Sequence, residues 1–183
     1  MASNFSIRHA ALIIRQGGVI AYPTDTIYGL GCDPYNPEAV TRLNTIKQRP
    51  AGKYFILLAG HIDQIRQLLS ASDDELKKIS TCSEPTSWVI DAAPRTPYWL
   101  TDDSHTLTVR ITEDACVTKL CAALGHAVIS TSANLSGKRP AGTSSRLHQY
   151  FHHSVDKILV ADQELHSKPS RIIRLCDNHV FRE

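Results

Sequence analysis

An α/β domain built on a mixed, twisted sheet is what this sequence predicts, and three observations carry the expectation. Segments whose apolar residues recur every three to four positions alternate along the chain with short Val-, Ile- and Leu-rich runs. Hydrophobic residues make up 42% of the 183, enough to bury a core. No repeat, low-complexity tract or Pro/Gly-rich linker divides the chain, so residues 1–183 are expected to form a single domain.

The elements follow in order. Ile7, Ala10, Ala11 and Ile14 share one helical face, and Gly17-Gly18 ends that pattern. "VIAYP", Val19 to Pro23, reads as a short buried strand. Asn36 suits an N-cap, Pro37 the first helical position and Glu38 the helix dipole. With Ala39, Val40, Leu43 and Ile46 inward, a helix is expected from Pro37 to Gln48, stopped by Pro50. "YFILLA", from Tyr54, is a strand, and Ile62, Ile65, Leu68 and Leu69 follow at helical spacing. "TSWVI" from Thr86 and "TLTVRI" from Thr106 read as strands, the second alternating as a half-exposed strand does. Glu113 to Leu124 is expected to be helical with Cys116, Leu120, Ala123 and Leu124 inward, and "AVIS" from Ala127 to be a buried strand. A polar loop, a short helix near Leu147, and strands at "KILV", "RIIRL" and "HVF" complete the chain.

Several function classes are excluded. A net charge of +2 is too small to argue nucleic-acid binding by itself. Five scattered cysteines with no C-x-x-C argue against a disulfide framework or a zinc ribbon, and for a reduced, cytoplasmic setting. The first eighteen residues lack the apolar core and cleavage site of a secretory signal, and no apolar run approaches the ~20 residues of a membrane span. There is no P-loop, no dinucleotide fingerprint and no H-E-x-x-H, and the nine histidines show no metal-ligand spacing, so no protein metal site is expected. Cys32 reads as packing.

Three clusters carry chemistry. In "AYPTDTIYGLGCDP", Thr24 and Thr26 offer hydroxyls, while Gly29 and Gly31 let backbone come close to a ligand. Threonine and aspartate also build ordinary hydrogen-bonded turns, and this loop alone leaves both readings open. "KQRPAGK" sets Lys47, Arg49 and Lys53 within seven residues with no acid between them; pairing with the helix C-terminus explains Lys47, while Arg49 and Lys53, beside or beyond Pro50, suggest an anion site. "STSANLSGKRPAGTSS" places Ser130, Thr131 and Ser132 directly after a buried strand, where hydroxyls and backbone N–H groups can cradle phosphate, with Lys138 and Arg139 beyond; alone it also reads as a long surface loop, though loops of this length are often functional. Together they describe a cleft of hydroxyls and cations with no acid pair and no nucleophile–base pair. Catalysis there rests on positioning and charge neutralisation.

In this order the clusters resemble the YrdC-like family, threonylcarbamoyl-adenylate synthases of tRNA modification. The family patterns "YPT-[ED]-T-x-Y-G-L-G", "K-x-R-P" and "S-x-S-A-N-x-S-G" stand here as "YPTDTIYGLG", "KQRP" and "STSANLSG". The resemblance covers nearly the whole chain and is to the short, single-domain bacterial form. It implies a single-domain YrdC-like fold, a twisted mixed sheet flanked by helices around an open basic groove. It implies a nucleotidyltransferase reaction in which L-threonine, bicarbonate (or CO2) and ATP give threonylcarbamoyl-AMP and pyrophosphate. A partner transferase complex then passes the group to ANN-decoding tRNAs. By the resemblance Thr26, Arg110, Ser130 and Ser170 meet threonine, with Arg110 on its carboxylate. Arg49, Lys53, Thr106, Ser132 and Asn134 fall at ATP-binding positions, and Lys47 and Arg49 are the catalytic cations. Mg2+ is implied with ATP, held largely by its phosphates and water. Leu58 stands where longer relatives often have a histidine.

The second reading is an RNA-binding module that uses Lys47, Arg49, Lys53, Lys138 and Arg139 for phosphates. It lacks a stacking motif, with aromatic residues at 7%. A third, a carbamoyl-adenylate-forming relative of hydrogenase maturation, would sit in a longer chain with an acylphosphatase and a zinc region.

Overall fold

The computed structural model describes residues 2–48, 55–135, 137–162, 165 and 168–183. Among these, nine strands form one mixed sheet in the order β7-β1-β2-β6-β3-β5-β4-β8-β9. The strands are β1 (Ile20–Tyr22), β2 (Gly29–Gly31), β3 (Ile56–Ala59), β4 (Thr86–Asp91), β5 (Thr106–Ile111), β6 (Val128–Ser132), β7 (Lys157–Ile158), β8 (Arg171–Arg174) and β9 (Val180–Arg182). The β7/β1, β3/β5 and β4/β8 pairs are parallel and the others antiparallel. The helices are α1 (Asn4–Arg15), α2 (Pro37–Lys47), α3 (Asp73–Ser80), α4 (Ala115–Leu124) and α5 (Ser144–Phe151).

Alternation along the strands sorts side chains to two faces. On one, Leu57, Val109 and Ile129 join the inner stripes of α2, α3 and α5 (Ala39, Val40, Leu43; Leu76, Ile79; Leu147, Phe151). On the other, Ile20, Tyr22, Leu58 and Val128 meet α1 and α4 through Ile7, Ala10, Ile14, Leu120 and Cys121. The helix ends follow the expected chemistry. The Asn36 side chain accepts from the Glu38 and Ala39 N–H groups, Pro37 opens the first turn, and Gln48 closes α2 in the left-handed region at φ 49. Gly17, at φ +83, follows α1 as the residue type that conformation favours.

Four expectations are corrected. The stretch read as a loop between Tyr22 and Asp33 contains a strand, β2, which pairs with both β1 and β6. Its Gly31 is close to its own sheet rather than to a ligand: a Cβ there would lie 2.2 Å from the Ile129 carbonyl oxygen and 2.8 Å from the Tyr22 ring. Residues 62–68 form two short 3-10 turns instead of a helix, and the helix nearby, α3, starts later at a capping box of Ser72 and Glu75. In α4 the buried seam is Val117, Leu120, Cys121 and Leu124; Cys116 and Ala123 are only partly buried. Among the described residues no helix is long and apolar enough to cross a membrane.

Candidate functional site

The sheet face carrying α1 and α4 turns hydroxyl-rich towards β5, β6 and β8. Ile56, Thr108 and Ser130 form one cross-strand row there, with Gly29 opposite Ser132 and Ile172 opposite Arg182. All of them line a cavity of about 230 Å³. The β1–β2 turn with Thr24 and Thr26 forms one wall, and Ser170 and Arg182 form another.

Arg110 dominates the electrostatics. The alternation expected of "TLTVRI" is present, with Leu107 and Val109 in the opposite layer, but its polar face is the cavity, not open solvent. The Arg110 side chain is only 4% exposed. Its Nη2 donates to Asp25, and its Nη1 makes a long 3.5 Å contact to Thr26 Oγ1. Its Nε is buried and, among the described residues, has no partner. An unsatisfied buried donor costs about 1–3 kcal/mol, and the guanidinium's positive charge on the cavity lining favours an anion there. Thr24 serves the turn: its Oγ1 donates to the Ile27 carbonyl (2.7 Å) and accepts from the Thr26 and Ile27 N–H groups. It also lies 3.1 Å from Thr26 Oγ1, so the turn fixes the hydroxyl of Thr26 at the cavity.

On the opposite wall Ser170 Oγ lies 2.8 Å from Ser87 Oγ, and Arg182 Nε donates to the Ser170 carbonyl (2.9 Å). Partial burial, then the like charge of Arg110, pulls the Arg182 guanidinium below its ordinary value. Two cations converging on one cavity favour an anion between them. Lys47, 5% exposed, reaches from the end of α2 to the Ser132 carbonyl, and to Asn134 Oδ1 at 3.0 Å. Ser132 Oγ donates to the same Asn134 oxygen (2.6 Å), and Asn134 Nδ2 closes the loop onto the Leu135 and Lys138 carbonyls. Lys47 is therefore a buried brace between α2 and the loop after β6, more than a cation at an exposed helix end.

Of the residues expected at a site, the structure brings Thr26, Arg110, Ser130, Ser132 and Ser170 to this cavity. It ties Lys47 and Asn134 to its Ser132 wall. Arg49 and Lys53 lie outside the described residues. Thr106 stands apart: its Oγ1 and N–H donate to Asp102, at 2.6 and 2.7 Å, four residues and about 13 Å of strand from Arg110. Thr108 occupies the cavity instead. Lys138 and Arg139 are exposed outside the lining. Arg182 is the residue that motif reading passed over. The Asp177-Asn178 turn between "RIIRL" and "HVF" signals a hairpin, and extending its register sets Arg182 opposite Ile172. Cys32 is buried, and burial pushes its thiol up to about 12, consistent with packing.

The chain is similar to known proteins in sequence and in fold. The Sua5/YciO/YrdC family model, described as "Telomere recombination", matches residues 12–183. A Pseudomonas paraeruginosa protein named threonylcarbamoyl-AMP synthase is 40% identical over 184 residues, covering 100% of this chain and 99% of the relative. A Halorhodospira halophila protein of the same name is 41% identical over 157 residues, 85% of this chain and 82% of that one. Among solved structures, Escherichia coli YciO superposes with a TM-score of 0.87 at 26% identity, covering 99% of this chain and 90% of that one. Pyrococcus abyssi Sua5 complexed with L-threonine superposes with a TM-score of 0.86 at 26% identity, covering 94% of this chain and 51% of that one.

Proposed function

We propose a function from one premise: the chain belongs to the Sua5/YciO/YrdC family. It is a threonylcarbamoyl-AMP synthase, a nucleotidyltransferase that joins L-threonine, bicarbonate or CO2, and ATP. The threonine amine adds to CO2 and loses a proton, giving a carbamate. A carbamate oxygen then attacks the α-phosphorus of ATP, and pyrophosphate leaves. Neither step needs a protein nucleophile, and among the described residues the cavity lining includes no cysteine and no histidine. Both steps need two anionic reactants held side by side with their charge offset.

The observation that carries this reading is Arg110, a buried guanidinium on the cavity lining. It anchors the threonine carboxylate, and the fixed hydroxyl of Thr26 beside it defines the amino-acid end. Ser130 and Ser170 complete that end. Ser132, braced by Lys47 and Asn134, and Arg182 face the phosphates. Arg49 and Lys53 are assigned to the ATP phosphates by the sequence motif alone. Mg2+ enters as part of the MgATP substrate; among the described residues no three His, Cys, Asp or Glu side chains gather to hold a metal. A transferase complex in the cytoplasm takes the product on to ANN-decoding tRNA.

The test is ATP–pyrophosphate exchange by the purified protein. Exchange that requires threonine and bicarbonate together supports the reading, and exchange indifferent to either overturns it.

A further inference from the structure

A buried hydroxyl stands behind the cavity wall formed by Ser170 and Arg182. Ser87, on β4, is 0% exposed and lies behind the lining residues rather than among them. It belongs to one cross-strand row with two residues that do line the cavity: it pairs with Ile172 of β8, which pairs with Arg182 of β9. Among the described residues its hydroxyl reaches one partner, Ser170 Oγ at 2.8 Å. Ser170 is held again from the other side, where Arg182 Nε donates to its carbonyl (2.9 Å) and Nη2 makes a longer 3.4 Å contact to its Oγ. Burial sets the direction of the Ser87–Ser170 bond. A fully buried hydroxyl whose proton finds no acceptor is costly, and Ser87 has a single acceptor in reach. Ser170 lines the cavity and can give its own proton to an occupant. Ser87 therefore donates and Ser170 accepts. With Arg182 Nη2 directed at the same oxygen, both lone pairs of the Ser170 hydroxyl face donors, and its O–H is what remains for the cavity. Holding the chain in place does not require this bond, because the Arg171 N–H already ties the segment before β8 to the Pro85 carbonyl (2.9 Å).

We propose that Ser87 is a positioning residue for the reaction: by donating to Ser170 it turns the Ser170 proton into the cavity, so that Ser170 meets substrate as a donor to an anionic oxygen. The proposal rests on the synthase reading, in which both the amino acid and ATP bring such oxygens. A serine free to rotate would spend part of its time presenting lone pairs to an anion. One whose lone pairs are already engaged is preorganised as a donor and needs no reorientation when substrate arrives. Arg182, bonded to the same serine, adds positive charge at that point of the wall.

Initial rates of ATP–pyrophosphate exchange by the full-length protein test this in Ser87→Thr, Ser87→Val, Ser170→Ala and the Ser87→Val/Ser170→Ala double variant. The first two add similar bulk at the buried position and differ in the hydroxyl. Ser87→Val should have a KM about 3- to 10-fold above that of Ser87→Thr for one substrate, the worth of one hydrogen bond, with kcat unmoved. A rise confined to threonine places the acceptor oxygen on the amino acid, and one confined to ATP places it on a phosphate. The double variant should be no weaker than Ser170→Ala, because Ser87 acts through Ser170. Four results would each overturn the proposal: Ser87→Val matching Ser87→Thr, equal rises in both KM values, a fall in kcat with both KM values unmoved, or losses that add in the double variant. Should the added bulk prevent folding by circular dichroism, Ser87→Ala carries the test: it should raise the KM of one substrate and add nothing to Ser170→Ala, and additive losses overturn the assignment. Wild-type exchange that needs threonine and bicarbonate, together with additive losses, fails this proposal alone and leaves the synthase reading standing.

Discussion

Arg110→Ala removes the centre of the proposed amino-acid end, and the structure sets the scale of each consequence. Breaking a fully buried ion pair costs about 3–5 kcal/mol, because the surviving charge stays buried and unpaired. Here the survivor, Asp25, keeps a third of its side chain in water. The stability loss should therefore be smaller, about 1–2 kcal/mol, and the protein should remain folded. Threonine loses its charge-assisted anchor, worth about 2–4 kcal/mol, or roughly a 30- to 900-fold fall in kcat/KM for threonine. The KM for ATP should change little, because Ser132, Lys47 and Asn134 lie on another wall and make no bond to Arg110. Arg110→Lys keeps the charge and loses the fork, so it should fall between the two. Initial rates of pyrophosphate exchange, measured against each substrate in turn, separate the two KM values. Equal losses in both would refute the division of the cavity into an amino-acid end and a phosphate end.

Other expectations follow from single contacts. Lys47→Met leaves the Ser132 carbonyl and Asn134 Oδ1 short of a buried donor. It should cost about 1–3 kcal/mol, a fall in Tm of roughly 2–12 °C by thermal melt. Gly31→Ala forces a Cβ against the Ile129 carbonyl and should abolish soluble expression, whereas Gly125→Ala, with open space around it but φ +85, should lower stability by only about 1 kcal/mol. Asp156 accepts from Arg42 and from the Val19 N–H; burial would raise its carboxyl, but these bonds outweigh burial and hold it below its ordinary value. A depressed carboxylate contributes stability that is present above the unfolded-state value near 3.9 and lost as pH falls through the lower folded-state value. Asp156→Asn should thus destabilise by about 1–2 kcal/mol at pH 7, and by progressively less in acid unfolding curves below pH 4. Burial pushes the thiols of Cys32 and Cys121 up to about 12, so a thiol reagent at pH 7 should label exposed Cys176 in the native protein and reach those two only on unfolding.

Much of the fold was legible because local and tertiary signals agreed. In α2, the Asn36 cap, Pro37 and the apolar face all point to one helix, and it forms where they place it. Strand β2 was hidden because "GLG" has no intrinsic strand preference; it is extended because the Tyr22 ring packs against its two glycines and the Ile129 carbonyl against Gly31, where no side chain intervenes. Residues 62–68 kept a helical spacing of apolar groups, yet each turn is ended by its own short cap, and the spacing serves only to bury Ile65 and Leu68. Helix α3 was overlooked although Ser72 and Glu75 spell its capping box. At the site, the hydroxyls of Thr26, Ser130 and Ser132 could be found from motifs because they are close in sequence to the strands that hold them. Arg182 and the pairing of Asp25 with Arg110 could not, because they depend on hairpin register and on contact across 85 residues.

If this cavity couples a carbamoylated amino acid to ATP, label should pass between pyrophosphate and ATP only when threonine and bicarbonate are both present. Omitting each in turn should therefore stop the exchange. Arg110→Ala should slow it, at threonine concentrations well below the wild-type KM, by the same roughly 30- to 900-fold. Exchange that persists without threonine or bicarbonate, or that Arg110→Ala leaves intact, would show that the cavity does something else.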